Sequence, residues 1–122
     1  MIKEIGLLDK EYVSYREEND WCMRGYNNGW KSFYVYKSVI WHKIGGSTNR
    51  NVNLFVDYLE TRNRFLFVKK YSKTWQTLTF LLYFGFFDFW LISAINLIYF
   101  RNLKRYKSFL SASKDGIKIL RN

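Results

Sequence analysis

Three carboxylates within four residues, Glu17, Glu18 and Asp20, stand beside Trp21 and the only cysteine, Cys22. Further along, Trp41 precedes the only histidine, His42. Clustered carboxylates can supply a general base, because their mutual repulsion favours proton uptake by one of them. Indole faces such as Trp21 offer a stacking surface for sugar rings. His42 closes a strand-like run just before Gly45 and Gly46, a setting in which a ligand can approach backbone closely. An imidazole beside a diphosphate-bound divalent metal is chemically reasonable. Each feature also has a plainer reading. Acids at a helix start complement the helix dipole. A lone histidine and single tryptophans are more often structural, and Cys22 reads as a buried small hydrophobe.

The elements that would position these residues can be read in order. Gly6 to Asp9 suggest a turn. The acids at 17, 18 and 20 open a short helix, and Asn27, Asn28 and Gly29 close it near residue 28. Trp30 to Tyr36 and Ser38 to His42 are rich in aromatic and β-branched residues and read as a strand or strand pair with a break near Lys37. Gly45 to Thr48 form a flexible link. Apolar spacing at Val52, Phe55, Val56 and Leu59 predicts a helix from about residue 50 to 71. From Thr74 to Phe100 there is one charge, Asp88. At the centre of a span it would cost about 2.5–3.5 kcal/mol, so Gly85 and Asp88 are read as a bend between two shorter helices. Leu103, Tyr106, Phe109 and Leu110 among lysines predict a basic amphipathic helix over 101–120.

Composition limits the function classes. The 122 residues include no proline and 21% aromatics and carry a net charge of +10, a combination that argues against disorder. One cysteine excludes an internal disulfide framework and a cysteine-based zinc site, and one histidine excludes a histidine-rich metal site. Residues 1–46 carry seven basic and six acidic side chains, whereas 47–122 carry thirteen and four. The basic half is also the apolar half. That predicts contact with an anionic membrane surface through Lys69, Lys70 and Lys73 on one side of the apolar stretch and Arg101, Lys104 and Arg105 on the other. A re-entrant hairpin or interfacial helices would place both basic clusters on one surface; a single span and a fully soluble core are the alternatives. These basic residues flank apolar runs rather than forming a patterned groove, so no nucleic-acid partner is expected. The N-terminus has no apolar core long enough for a signal peptide. A non-catalytic, membrane-associated binding or scaffold protein would satisfy composition alone.

The order of the residues adds a resemblance. Gly6-Leu7-Leu8-Asp9-Lys10, Tyr15, the run Glu17-Glu18-Asn19-Asp20-Trp21-Cys22-Met23-Arg24, Gly29-Trp30, Val39-Ile40-Trp41-His42-Lys43 and Thr61-Arg62-Asn63-Arg64 follow one another without gaps from Glu17 to Ser47. Over roughly residues 2–70 this series resembles the C-terminal part of the catalytic domain of family 2 glycosyltransferases, of the rhamnosyltransferase-like kind that build bacterial surface polysaccharide. The resemblance implies an α/β fold, namely the C-terminal fragment of a GT-A (nucleotide-diphospho-sugar transferase) fold with short strands. It further implies an acceptor-side catalytic portion over residues 1–72, followed by membrane-associated helices over 73–122. It implies inverting transfer from a nucleotide sugar to a saccharide or lipid-linked acceptor. By it Glu18 is the general base, and Glu17, Asp20, Trp21, Arg24 and Trp41 line or support the acceptor side. His42 would lie near the donor diphosphate and a Mg or Mn ion of the complete enzyme. The family's base is usually aspartate, and the extra methylene of Glu18 moves the carboxylate by roughly an ångström, a displacement that can cost about 10²-fold in rate. Nothing here resembles the family's nucleotide-binding N-terminal half. The chain is therefore read as a fragment, or as one half of a split gene that works with a separate N-terminal half, at the cytoplasmic face of the cell membrane and inactive alone.

Overall fold

The computed structural model describes residues 1–41 and 54–122. Five helices carry these residues: α1 (Ile2–Ile5), α2 (Glu17–Asn27), α3 (Leu54–Tyr71), α4 (Thr74–Tyr99) and α5 (Leu103–Arg121), with a 3₁₀ turn at Lys10–Tyr12. Among the described residues there is no strand, so the α/β expectation, and with it the GT-A fragment, is corrected to an all-helical architecture. The reason is physical. Aromatic and β-branched residues suit a pleated, half-buried surface, but a strand also needs a neighbour to pair its backbone groups. The segment from Trp30 to Trp41 instead runs as exposed chain, with Phe33, Tyr34, Val39 and Ile40 open to solvent, and it turns where the Ser38 N–H donates to the Val35 carbonyl at 3.0 Å. His42, the Gly45–Thr48 link and the first residues of the 50–71 helix lie outside the described residues.

The chain divides into two compact units, Met1–Asn53 and Leu54–Asn122. In the first, α1 stops at Gly6, whose φ of 74° is a left-handed conformation that glycine adopts without penalty. Asp9 caps the 3₁₀ turn, its Oδ1 accepting from the Glu11 N–H at 2.9 Å. Tyr12 is fully buried. Helix α2 starts on its acids as expected and ends at Asn28, whose Nδ2 donates to the Arg24 carbonyl at 2.8 Å, with Gly29 following at φ 82°.

In the second unit, α3 and α5 run side by side in the same direction and α4 returns against them. The start of α3 meets the start of α5: Arg105 grips Asp57 with two hydrogen bonds, Nε to Oδ2 at 2.8 Å and Nη2 to Oδ1 at 2.9 Å. Ser108 Oγ donates to the Leu54 carbonyl at 2.8 Å. Further along, Phe65 lies against Gly116, where the missing side chain lets the helices approach. Phe65, Phe84 and Phe109, one from each helix, form the core, flanked by Phe80, Phe89, Ile92, Tyr106 and Leu120. The rings of Phe80 and Phe84 meet Phe65 edge to face at 5.1 and 4.8 Å, the geometry that aromatic quadrupoles favour. Tyr58 donates to Asp115 Oδ2 at 2.9 Å. Burial, and then that hydrogen bond to a carboxylate, push its phenol above the ordinary range.

Helix α4 shows no break at Gly85 and Asp88. It passes through π-helical turns at Phe84–Asp88 and Ile95–Tyr99 with right-handed backbone throughout. Asp88 needs no bend to escape an apolar setting, because Arg64 of α3 pairs with it inside the unit. Helix α4 opens on a hydrogen bond from the Lys73 N–H to Gln76 Oε1 at 2.8 Å. Helix α5 opens on Asn102, whose Oδ1 accepts from the N–H groups of Lys104 and Arg105 at 3.0 and 3.1 Å.

Candidate functional site

The three acids of α2 have three different environments. Asp20 is buried, and its Oδ2 accepts from Arg24 Nε at 2.8 Å, one turn along the helix. The same guanidinium donates through Nη1 to the Ile5 carbonyl and through Nη2 to the Leu7 carbonyl, the latter at 2.7 Å. Arg24 therefore clamps the end of α1 to α2 while Asp20 holds the clamp in place. Trp21 adds a third tie, its Nε1 donating to the Gly6 carbonyl at 3.0 Å, and Trp30 a fourth, to Glu4 Oε2 at 2.8 Å. Asp20, Trp21 and Arg24 thus act inside the fold of this unit. Glu17 is partly buried, and its Oε2 is buried without a hydrogen-bond partner, as is Nε of Arg16. Glu18, at the second position of the helix, is exposed. Of the three carboxylates it is the one open to an incoming hydroxyl.

The loop that delivers these acids is unusual. Val13, Tyr15 and Arg16 have φ of 63°, 68° and 73°, outside the right-handed helical and extended regions that side chains prefer. Each such residue costs about 1–3 kcal/mol and persists only where its surroundings enforce it. Arg16 is also the residue that starts α2, and it provides no side-chain cap. The sequence suggests a loop here but not its left-handed backbone, because residues 13–16 contain no glycine to mark one.

The remaining predicted residues are dispersed. Trp41 is 97% exposed, and His42 lies outside the described residues. Cys22 is exposed, not buried as expected. Among the described residues no group of three or more His, Cys, Asp or Glu side chains converges to hold a metal, so those residues do not by themselves fit a divalent ion. Lys69, Lys70 and Lys73 are exposed before α4, and Arg101 and Lys104 are exposed after it. Arg105 is turned inward to Asp57 and lies over the Phe100 ring at 4.1 Å. Sequence reading also missed a cleft of about 390 Å³ within the second unit, lined by Asp57, Thr61, Ile92, Asn96, Arg105 and Phe109 among others.

No protein family, no curated protein and no solved structure matches the chain.

Proposed function

We propose that the first unit is the acceptor-side portion of an inverting, family 2-like glycosyltransferase, with Glu18 as its general base. The observation that carries this reading is the left-handed run Val13, Tyr15 and Arg16 leading directly into the acid pair. Strain of this kind concentrates where a fold must present particular side chains. Here it precedes one exposed carboxylate and one half-buried carboxylate, on a helix start that Asp20 and Arg24 hold rigid. The ordered motif series from Glu17 to Ser47 supports the same reading.

In this reaction the Glu18 carboxylate takes the proton of an acceptor hydroxyl. The freed oxygen attacks the anomeric carbon of a nucleotide sugar. The bond from that carbon to the diphosphate breaks, the nucleoside diphosphate leaves with the bonding electrons, and the anomeric configuration inverts. The acceptor is a saccharide or a lipid-linked saccharide. The nucleotide grip belongs to the N-terminal half of the complete enzyme. The Mg or Mn ion of the complete enzyme belongs to the proposal, but no described side chain is assigned to it and no step above depends on it.

The test is a chromosomal substitution in the native cell, read as the sugar composition of the surface polysaccharide. Glu18→Gln is expected to remove one sugar from the polymer, and Glu18→Asp, which restores a carboxylate, to retain it. Unchanged composition in the Glu18→Gln strain, with the protein present at its normal level, overturns the assignment. A second reading, a non-catalytic membrane-associated binding or scaffold protein, draws on the outward apolar surface of α4, and it predicts that same unchanged composition.

A further inference from the structure

Helix α4 is built inside out. The residues it buries are Phe84, Asp88, Ser93 and Asn96, three of them polar. The residues it exposes are large and apolar: Trp75, Leu82, Phe86, Trp90 and Ile98 recur at helical spacing along the opposite side. Phe86 is 79% exposed and Trp90 66%, whereas Asp88 between them is 8% exposed. In a water-soluble bundle the apolar stripe faces the core and the polar one faces solvent. A continuous exposed apolar surface on this scale marks an interaction site.

We infer that the outward face of α4 docks into an anionic membrane surface, with the helix lying in the plane of the interface and not crossing it. Two observations choose the occupant. The first is charge: the exposed Lys69, Lys70 and Lys73 stand at one end of α4 and the exposed Arg101 and Lys104 at the other, complementary to anionic headgroups. The second is the kind of side chain. Trp75, Tyr83, Trp90 and Tyr99 are aromatics with a polar handle, the type that settles at headgroup level.

The in-plane orientation follows from what α4 packs on. At 26 residues and about 1.5 Å per residue it is long enough to cross a bilayer core of about 30 Å. Its middle, however, is fastened to charged helices. Arg64 of α3 pairs with Asp88, and Phe109 of α5 packs on Phe84 and Phe89 at 6.3 and 5.6 Å. Phe109 lies between Lys107 and Lys114 on a helix that also carries Lys104, Lys118 and Arg121. A crossing α4 would draw these cations into hydrocarbon, where each is unfavourable. An in-plane α4 keeps α3 and α5 on the aqueous side and places only the aromatic face in lipid. This inference is independent of the sugar-transfer reading.

The experiment adds the full chain to preformed vesicles of phosphatidylcholine alone or with phosphatidylglycerol. Flotation is expected to recover the protein with the anionic vesicles, at least about tenfold more than with neutral ones, and recovery should fall as salt is raised. Phe86→Asp combined with Trp90→Asp should abolish flotation while leaving the far-ultraviolet circular dichroism unchanged, because both side chains project from the bundle. Orientation is read in a Cys22→Ser background carrying Lys69→Cys or Lys104→Cys. A membrane-impermeant maleimide added outside should label both positions fully. Protection of one of them shows a span and overturns the in-plane inference. Equal recovery with neutral vesicles overturns the anionic surface. A chain that ignores both vesicles and sediments as a dimer through this face overturns the membrane as occupant.

Discussion

Replacing Gly116 by alanine separates two effects of opposite sign. In an open helix interior, alanine is favoured over glycine by about 1 kcal/mol, so helix propensity alone predicts a more stable protein. Gly116 is buried on α5, and a Cβ there would run into the Phe65 ring, lying 2.5 Å from Cγ and 2.9 Å from Cε2. The ring cannot retreat, because it is fully buried and met edge-on by Phe80 and Phe84. Overpacking of this kind costs about 1–3 kcal/mol, and a clash at the centre of a three-ring core belongs at the upper end. The net expectation is a loss of about 2 kcal/mol. For a unit of this size that corresponds to a fall in Tm of about 8–16 °C. The assay is thermal unfolding followed by circular dichroism at 222 nm in a nonionic detergent that covers the face of α4. Phe65→Leu, made with and without Gly116→Ala, completes a double-mutant cycle. The alanine should be less harmful beside leucine, with a coupling of at least about 1 kcal/mol. A Gly116→Ala protein that melts higher than the parent would mean that α3 and α5 do not approach at this point, and the packing argument would fail.

Asp88→Ala strands Arg64 among apolar neighbours; because both side chains retain some contact with water, the expected loss is about 1–3 kcal/mol, and Asp88→Leu with Arg64→Met should recover most of it in urea unfolding. The raised phenol of Tyr58 holds its proton more tightly in the folded chain than in the unfolded one. Its contribution to stability is therefore complete below about pH 10 and is lost as pH rises through the higher folded value; the urea midpoint should drop above pH 10, with a shallower drop in Tyr58→Phe. Arg24→Lys keeps the charge but cannot reach Asp20, Ile5 and Leu7 together, so it should loosen α1 and speed hydrogen exchange of the Gly6 amide, whereas unchanged exchange would mean the clamp is dispensable.

Which parts could be read from residue order follows from how local their causes are. Helix α2 was legible because its acids lie in the first turn and its Asn-Asn-Gly stop lies at the end. Helix α5 was legible because its apolar positions repeat at helical spacing; α3 is the expected helix, but of its expected stripe Leu59 is buried and Phe55 is exposed. The strand expectation for Trp30 to Tyr36 failed because strand formation depends on a partner elsewhere in the chain, and no residue type in that segment reports on one. The bend expected at Gly85 and Asp88 failed for a similar reason. An aspartate in an apolar run looks like an interruption until Arg64, 24 residues earlier, is known to face it. The acids of the site were visible as a group but not as individuals. Asp20 is set apart from Glu18 by its pairing with Arg24, whose guanidinium also reaches the Ile5 and Leu7 carbonyls, contacts that span up to 19 residues.

The loop before α2 carries the deepest consequence of that distinction. A left-handed residue at the start of a helix is ordinarily a glycine or an asparagine, and the cost of arginine or valine in its place is about 1–3 kcal/mol each. Relief was open to this segment by single substitutions, since glycine would accept φ of 63° to 73° freely. Glycine would also remove the side chain of Arg16, whose buried Nε lies unpaired one residue before the unpaired Oε2 of Glu17. Two unsatisfied, oppositely charged groups in adjacent residues form no ion pair with each other in this conformation. The strained residues Val13, Tyr15 and Arg16, the unpaired atoms of Arg16 and Glu17 and the exposed Glu18 therefore lie within one six-residue stretch.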